Sequence, residues 1–594
     1  MTAINGSSSA PLESQAEDDT YHLIEPRLPQ KRDEKNPSLN SLGMELILMI
    51  FNIIHRESPA SLKSLALVSS HYHHAARYCQ NQKVRLDISG EKKDVLQRRL
   101  TYIEQGGFLP AIRRIKVRGV EDDLGNIEAV AQLLHKATGL RDLDWKNKGA
   151  PDSSVGVPEQ VLTAIQSRNT VRLHTDAVLN YYRLPTTVPP PPYTAPLARG
   201  SENLHSLRMC FTYVSVERCL EMVQRVRDIL LSSPNIRKLT VDYGRPDGGC
   251  VRYGPLKEYT GFGFVDGQRP SALEELKLGK YIFGSIPTPD LGDNFFPPTN
   301  VGYPGKGEEE DYWAETFDWS RLRKLDTEQH TFALRVAPKL SALEEASLGV
   351  VSDPKIIREF YDTVPNSLSA IEIHQFDALG VDGIIRHASK LRTLGIHQRQ
   401  SRDWSEHTID APSLLEIQKA CPLIEALDLD IKREGDWPYE ILDILAGFRN
   451  LRRLTLWFEL GWVGHEPFDV VQPVVNYSAV DTLFTYVNSK RPSNSKPLKE
   501  MKVYCGCLRP IRGYPSQEGL WPRKNTSSYL CQLSERDDQA PDGVFHITCP
   551  MLTDDENILL QKMRTENVEV PKEQSRALTV ALNGPIPFTG RRRS

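Results

Sequence analysis

Leu451-Arg452-Arg453-Leu454-Thr455-Leu456 is one copy of a pattern, apolar-x-x-apolar-x-apolar, that returns along most of the chain. It opens as Ile112/Ile115/Val117 and Leu140/Leu143/Trp145, then runs through Leu204/Leu207/Met209, Ile236/Leu239/Val241 and Leu273/Leu276/Leu278. Leu322/Leu325 and Leu343/Ala346/Leu348 are weaker copies, and Val171-Arg172-Leu173 is a degenerate one. Leu368/Ile371/Ile373, Leu391/Leu394/Ile396, Ile424/Leu427/Leu429 and Leu498/Met501/Val503 complete the series. The alternating end of each copy has the period of a strand with one buried face, and the leading apolar residue fits the turn before it. Val84-Arg85-Leu86-Asp87-Ile88 alternates in the same way.

Helical stretches precede several copies: Cys219–Leu231 before Ile236, Leu414–Ala420 before Ile424, Ile441–Ala446 before Leu451. Breakers separate helix from strand at Ser233-Pro234, Cys421-Pro422 and Gly447. Helix, breaker and strand recur at roughly 21–37 residues outside the insertions, a period that marks repeat architectures. The pattern resembles leucine-rich repeats. That resemblance implies an α/β solenoid over residues 83–550, with a parallel sheet on the concave face and helices on the convex face. The Asn or Cys that usually follows the L-x-L in the family is missing; Leu429-Asp430-Ile431 shows the replacement. The alternative is a non-repeat α/β domain whose strands start alike.

The N-terminal side of the series reads differently. Leu42, Leu46, Ile47, Ile50, Phe51 and Ile54 recur at helical spacing. Ser58-Pro59 suits the start of a second helix carrying Leu62, Leu65, Ala66 and Leu67. Ser69 or Ser70 can cap a third, through Tyr72, Ala75, Ala76 and Tyr78. Periodicity alone fits a plain helical cap. The residue order resembles the F-box, the three-helix motif that plugs a receptor into the Skp adaptor of a cullin–RING ubiquitin ligase. Leu42, Glu45, Leu46, Ile47, Ile50 and Phe51 match its first half, and Ser61, Leu62, Leu65, Leu67, Val68, Ser69, Tyr72 and Ala76 its second. Gly43 stands where the family usually has Pro, and Ser70 where it has a basic residue. These departures bear on adaptor affinity more than on fold. The resemblance implies an F-box over residues 38–82, with Leu42, Glu45, Leu46, Ile50, Phe51, Leu62, Leu65, Leu67 and Val68 serving the adaptor.

The chain of 594 residues has a net charge of −4, which argues against nucleic acid as a partner. No apolar run approaches the ~18 residues that span a bilayer, so no membrane association is expected. Nine scattered cysteines suit a reducing cytoplasm or nucleus. Residues 1–37 lack periodicity and read as disordered. Residues 551–594 read as a cap helix, about Asp554 to Arg564, and a mobile basic tail from Glu573 ending in Arg591-Arg592-Arg593.

Insertions interrupt the series. One, Leu184 to Gly200, holds Pro189–Pro192; another, Asp242 to Pro270, holds Tyr253, Tyr259, Phe262 and Phe264. A third, Phe283 to Trp319, holds Phe295-Phe296 and the acidic run Glu308-Glu309-Glu310-Asp311 before Tyr312-Trp313; a fourth covers Gly461 to Tyr477. Aromatics beside acids could receive a basic peptide, but the favoured reading tucks them against the solenoid flank.

Cys505, Cys507, Cys531, His546 and Cys549 lack zinc-site spacing and read as free cysteines. His71, His73 and His74 do not share one helix face, and no metal or cofactor is expected. Gly261-Phe262-Gly263 lacks the flanking strand and helix of a phosphate loop, and no hydrolase, kinase or metalloprotease motif occurs. The expectation is a non-catalytic substrate receptor of a cullin–RING ligase, with the repeats holding an unknown target protein. The alternatives are a non-degradative adaptor-bound scaffold and, further off, a solenoid enzyme. Arg237, Lys238, Glu274, Glu275, Arg452 and Arg453 occupy exposed strand positions and are candidates for reading the target.

Overall fold

The computed structural model describes residues 42–57, 59–88, 93–119, 124–147, 157–179, 197, 199–212, 216–244, 259–279, 281, 283, 303–305, 307–349, 354–398, 408–460, 470–506, 524–533, 545–566 and 574–585. The segments 1–37, Pro189–Pro192 and Arg591–Arg593 lie outside these residues, as do Ser58, Tyr253, Phe295-Phe296, Cys507 and most of the fourth insertion. The chain divides into two units, the first ending at Cys79 and the second beginning at Gln80.

The first unit is three helices, α1 (Met44–Glu57), α2 (Pro59–Leu65) and α3 (Ser70–Gln80). The Gly43 carbonyl accepts the Ile47 amide at 3.2 Å, which starts α1. Pro59 opens α2, where its missing N–H leaves no gap in the helix. Ser69 Oγ accepts the Tyr72 amide at 3.2 Å and caps α3. Ile47, Phe51, Leu62, Tyr72, Ala75, Ala76 and Cys79 meet in the core, with the Phe51 and Tyr72 rings 5.6 Å apart.

The second unit is α/β, built on a 16-stranded sheet whose spatial order is its sequence order. The strands are β1 (Lys83–Asp87), β2 (Arg114–Gly119), β3 (Asp142–Asn147), β4 (Arg172–Leu179), β5 (Leu204–Thr212), β6 (Lys238–Gly244), β7 (Glu275–Leu278) and β8 (Lys324–Thr327). They continue as β9 (Glu345–Leu348), β10 (Ala370–Ile373), β11 (Thr393–Ile396), β12 (Ala426–Ile431), β13 (Arg453–Phe458), β14 (Glu500–Cys505), β15 (Ser527–Leu533) and β16 (Phe545–Thr548). Strands β1 to β14 are parallel; β15 and β16 run antiparallel to their neighbours. Each copy of the apolar pattern, including the degenerate one, becomes a strand.

Register stacks like residues in columns. Leu394, Leu427, Leu454 and Met501 are consecutive partners across β11 to β14, as are Ile396, Leu429, Leu456 and Val503. All eight are buried, packed in one core with Leu414 and Ile417 of helix Ala411–Ala420 and Leu442 and Leu445 of helix Tyr439–Ala446. Neither a strand nor a helix here could bury its apolar side alone, so stacking supplies the hydrophobic stabilisation. No helix among the described residues is long and apolar enough to cross a membrane.

An asparagine before the opening apolar residue ties successive segments together. Buried Asn203 donates through Nδ2 to the carbonyls of Arg168 and Val171, both at 2.9 Å. Asn235 reaches the Glu202 carbonyl at 2.9 Å, and Asn450 the Pro422 carbonyl at 2.8 Å. These side chains satisfy turn carbonyls that the parallel ladder leaves over.

The C-terminal end departs from expectation in two ways. β15 corresponds to no expected element, whereas the edge strand expected at Val544–Thr548 is β16, described over Phe545–Thr548. Residues from Glu573, expected as a mobile tail, include helix Arg576–Asn583, which buries Leu578, Val580 and Ala581. Ser575 caps it, accepting the Leu578 amide at 3.1 Å, and Tyr529 donates to the Ala581 carbonyl at 3.2 Å. The expected cap helix spans Asp554–Glu566.

Candidate functional site

Helix α1 is apolar on more faces than a three-helix core can use. Ile47 and Phe51 turn inward, while Leu46, Met49 and Ile53, spaced at i, i+3 and i+7, remain 50%, 62% and 52% exposed. The turn after α2 exposes Leu67 and Val68, at 86% and 66%, held by Leu67 N–H to the Ser64 carbonyl and Val68 N–H to the Leu65 carbonyl. Large apolar side chains left outside a small unit mark an interaction surface more than a folding requirement.

The nine residues expected from sequence to serve an adaptor therefore separate. Phe51 and Leu62 are core. Leu42, Ile50 and Leu65 are partly buried against it. Glu45, Leu46, Leu67 and Val68 face solvent. Met49 and Ile53 join the exposed set without having been singled out from sequence. Their signal was the excess of apolar residues in Leu46-Ile47-Leu48-Met49-Ile50-Phe51 over one face.

The described part of the acidic–aromatic insertion packs inward. Trp313, Phe262, Phe264 and Phe332 are buried, with Phe262 stacked on Trp313 at 5.9 Å. Glu309 lies fully inside this cluster and accepts from Tyr281 Oη at 3.0 Å, Trp313 Nε1 at 3.1 Å and the Gly263 amide at 3.3 Å. Burial pushes its carboxyl up to about 7, against the pull of these donors and of Tyr259. Gly261 is glycine because a Cβ there would stand 2.2 Å from Tyr259 Oη and 2.5 Å from Glu309 Oε2. Arg335 engages Glu308 at 3.5 Å, Glu310 at 3.3 Å and also Asp311, so an internal cation already answers the acidic run.

The strand-borne charges proposed to read a target mostly pair with each other. Arg237 meets Glu274 at 3.8 Å, and Lys238 meets Glu275. Lys324–Glu345 at 2.6 Å and Lys277–Asp326 extend this cross-strand alternation, while Arg114–Asp144 and Arg172–Asp142 repeat it near β1. Such exposed pairs contribute little each, ~0–1 kcal/mol. Arg453 remains exposed.

Cys505, Cys531 and Cys549 are buried, and burial holds the Cys505 thiol up at about 11. His71, His73, His74 and His546 are exposed. Among the described residues no three His, Cys, Asp or Glu side chains group as metal ligands. No family model matches this chain, and no curated protein matches it.

Proposed function

We propose that the first unit is an F-box that docks the Skp adaptor, and that the second is a leucine-rich-repeat-like receptor presenting a target protein to a cullin–RING ubiquitin ligase. The observation that carries the reading is the exposed apolar set Leu46, Met49, Ile53, Leu67 and Val68 on a three-helix unit that already has its own core. An adaptor covering it would remove apolar surface from water at ~25 cal/mol per Å². The mechanism is proximity: a target tethered on the repeats meets the charged ubiquitin carrier at high effective concentration. No side chain of this chain performs a bond-making step in that scheme.

The test is co-purification of the full chain with a Skp-type adaptor. Leu46→Asp with Met49→Asp should abolish capture while circular dichroism stays unchanged, because neither side chain is in the core. Undiminished capture by the folded double variant would refute the docking surface. Adaptor recruited without cullin would turn the reading toward a non-degradative scaffold.

A further inference from the structure

On the polar face of the sheet, opposite the apolar columns, charged residues of neighbouring strands answer acid with base. Lys238, Lys277 and Lys324 each hold an acid on the next strand. Along the whole series of register partners, no acid stands directly across from another acid. Base stands directly across from base in one corner alone, within β1 to β3. Lys83 lies beside Arg114, Arg85 beside Lys116, and Arg118 beside Lys146. Like charges set opposite each other in a sheet are destabilising, so this corner carries a local cost that the other strands avoid.

The acids within reach do not neutralise the corner. The polar face of β1 to β3 carries six cations, Lys83, Arg85, Arg114, Lys116, Arg118 and Lys146, against three acids, Asp87, Asp142 and Asp144. Six less three leaves +3 there, in a chain whose net charge is −4. Asp144 is committed to Arg114, at 2.6 and 2.8 Å. Asp142 is committed to Arg172, at 2.8 and 3.0 Å, and to His174, at 3.1 Å. Lys83, Arg85, Lys116, Arg118 and Lys146 form no ion pair among the described residues, and all but the half-buried Lys116 are exposed. Along β1 and β2 these cations follow one another at about 6.6 Å, twice the rise of a strand. An extended chain with an acid at every second residue presents carboxylates on one side at that same spacing. A nucleobase has nothing to stack on, because no aromatic side chain stands on this face of β1 to β3. The cations are spread over three strands rather than gathered around one point, which suits a row of carboxylates more than a single phosphate.

We infer that the polar face of β1 to β3 docks an extended acidic segment of a target protein, with Asp or Glu at alternate positions. Its carboxylates supply from outside the counter-charges that the later strands supply from within the chain. Charge complementarity of this kind sets the rate of encounter and the choice of partner more than the depth of binding, and it weakens with salt. The inference rests on the receptor role proposed for the second unit and gives the bound segment a chemistry and a place. It does not depend on adaptor docking by the first.

The experiment titrates the purified full chain, with no adaptor present, into a fluorescent nine-residue peptide of alternating Glu and Ser and reads anisotropy. Binding should weaken at least tenfold when every Glu is replaced by Gln, and severalfold between about 50 and about 200 mM salt. Arg85→Glu with Arg118→Glu should lose the peptide at least tenfold, with circular dichroism establishing that the variant folds. Arg453→Glu with Lys502→Glu, the same change of charge on β13 and β14, should leave the affinity within twofold. Equal binding of the Glu and Gln peptides, or undiminished affinity in the folded Arg85/Arg118 variant, would overturn the inference. So would equal losses in the two double variants, which would trace binding to net charge rather than to this face, or a thymidine oligonucleotide of equal charge that binds the wild type more tightly than the peptide. Adaptor capture is read separately and leaves these affinities unmoved, so failure of one proposal is distinguishable from failure of the other.

Discussion

Glu309 gives the chain a pH dependence of defined sign. Its carboxyl is buried among Tyr259, Tyr281, Phe262 and Trp313 and is held at about 7, against an ordinary value of 4.5. Between those two values the folded protein keeps a proton that the unfolded chain has released. The contribution of this carboxyl to stability is therefore greatest below pH 4.5 and is lost as the pH rises through 7, by about 3 kcal/mol once it ionises in place. Glu309→Gln removes the titration and leaves the volume nearly unchanged. It also turns an NH2 toward donors, a loss that does not vary with pH. The informative quantity is thus the change in the variant's effect between pH 4 and pH 8, which should favour Gln by about 3 kcal/mol at the alkaline end. A stacked sheet need not unfold in one step, so a global midpoint is the wrong measure. Hydrogen exchange of peptides covering residues 259–269 and 309–319, corrected for intrinsic rates, reads the local opening free energy. Parallel pH profiles for wild type and Glu309→Gln would show that the carboxyl titrates normally and that the cluster is wetter than described.

Other consequences follow from single contacts. His387 runs opposite to Glu309: its ring, 1% exposed, accepts the Leu368 amide at 3.2 Å and is held down at about 4 by burial, so local stability should fall by about 2 kcal/mol from pH 7 to pH 5, a loss that His387→Gln abolishes in exchange at Leu368. Phe51→Ala should destabilise the first unit by about 3–5 kcal/mol, while Met49→Ala changes it by less than about 0.5 kcal/mol, read as susceptibility of residues 42–79 to limited proteolysis. Asn203→Ala should cost about 2 kcal/mol by stranding the carbonyl of Val171, the Arg168 carbonyl keeping the Val171 amide, seen as faster exchange across β4 and β5. Gly261→Ala should disrupt the Tyr259–Glu309 contact and quench the protection of residues 259–269, whereas Gly267→Ala, whose Cβ would meet nothing within 4 Å, perturbs only a left-handed turn.

The parallel strands were legible because one rule, apolar outer positions around a polar centre, recurs from Ile115 to Val503, interrupted at Thr175, Thr327 and Gly395, and each copy has room for a helix before the next. β15 escaped because Ser527 takes one of its buried positions and no leading Leu-x-x announces it. Helix Arg576–Asn583 escaped because it is only eight residues long and the neighbouring Arg and Pro residues read as tail. The first unit's core was legible from period; the identity of its uncovered residues was not, since Leu46-Ile47-Leu48-Met49-Ile50-Phe51 offers an apolar residue in every direction. The aromatic insertions gave their acids but not their internal partner, because Arg335 lies 24 residues beyond Asp311.

The reversal of direction at β15 limits how such a molecule can lengthen. A new helix-and-strand module inserted between β12 and β13 meets parallel edges on both sides, in phase with the columns already there. One added behind β16 would meet an antiparallel strand of four residues, its His546 and Thr548 turned to solvent and Ile547, at the end of the Met501–Cys531 column, its single buried residue. Growth by duplication is thus confined to the interior of the series, and a chimera carrying a tandem copy of residues 424–450 should fold where the same copy appended after β16 dangles.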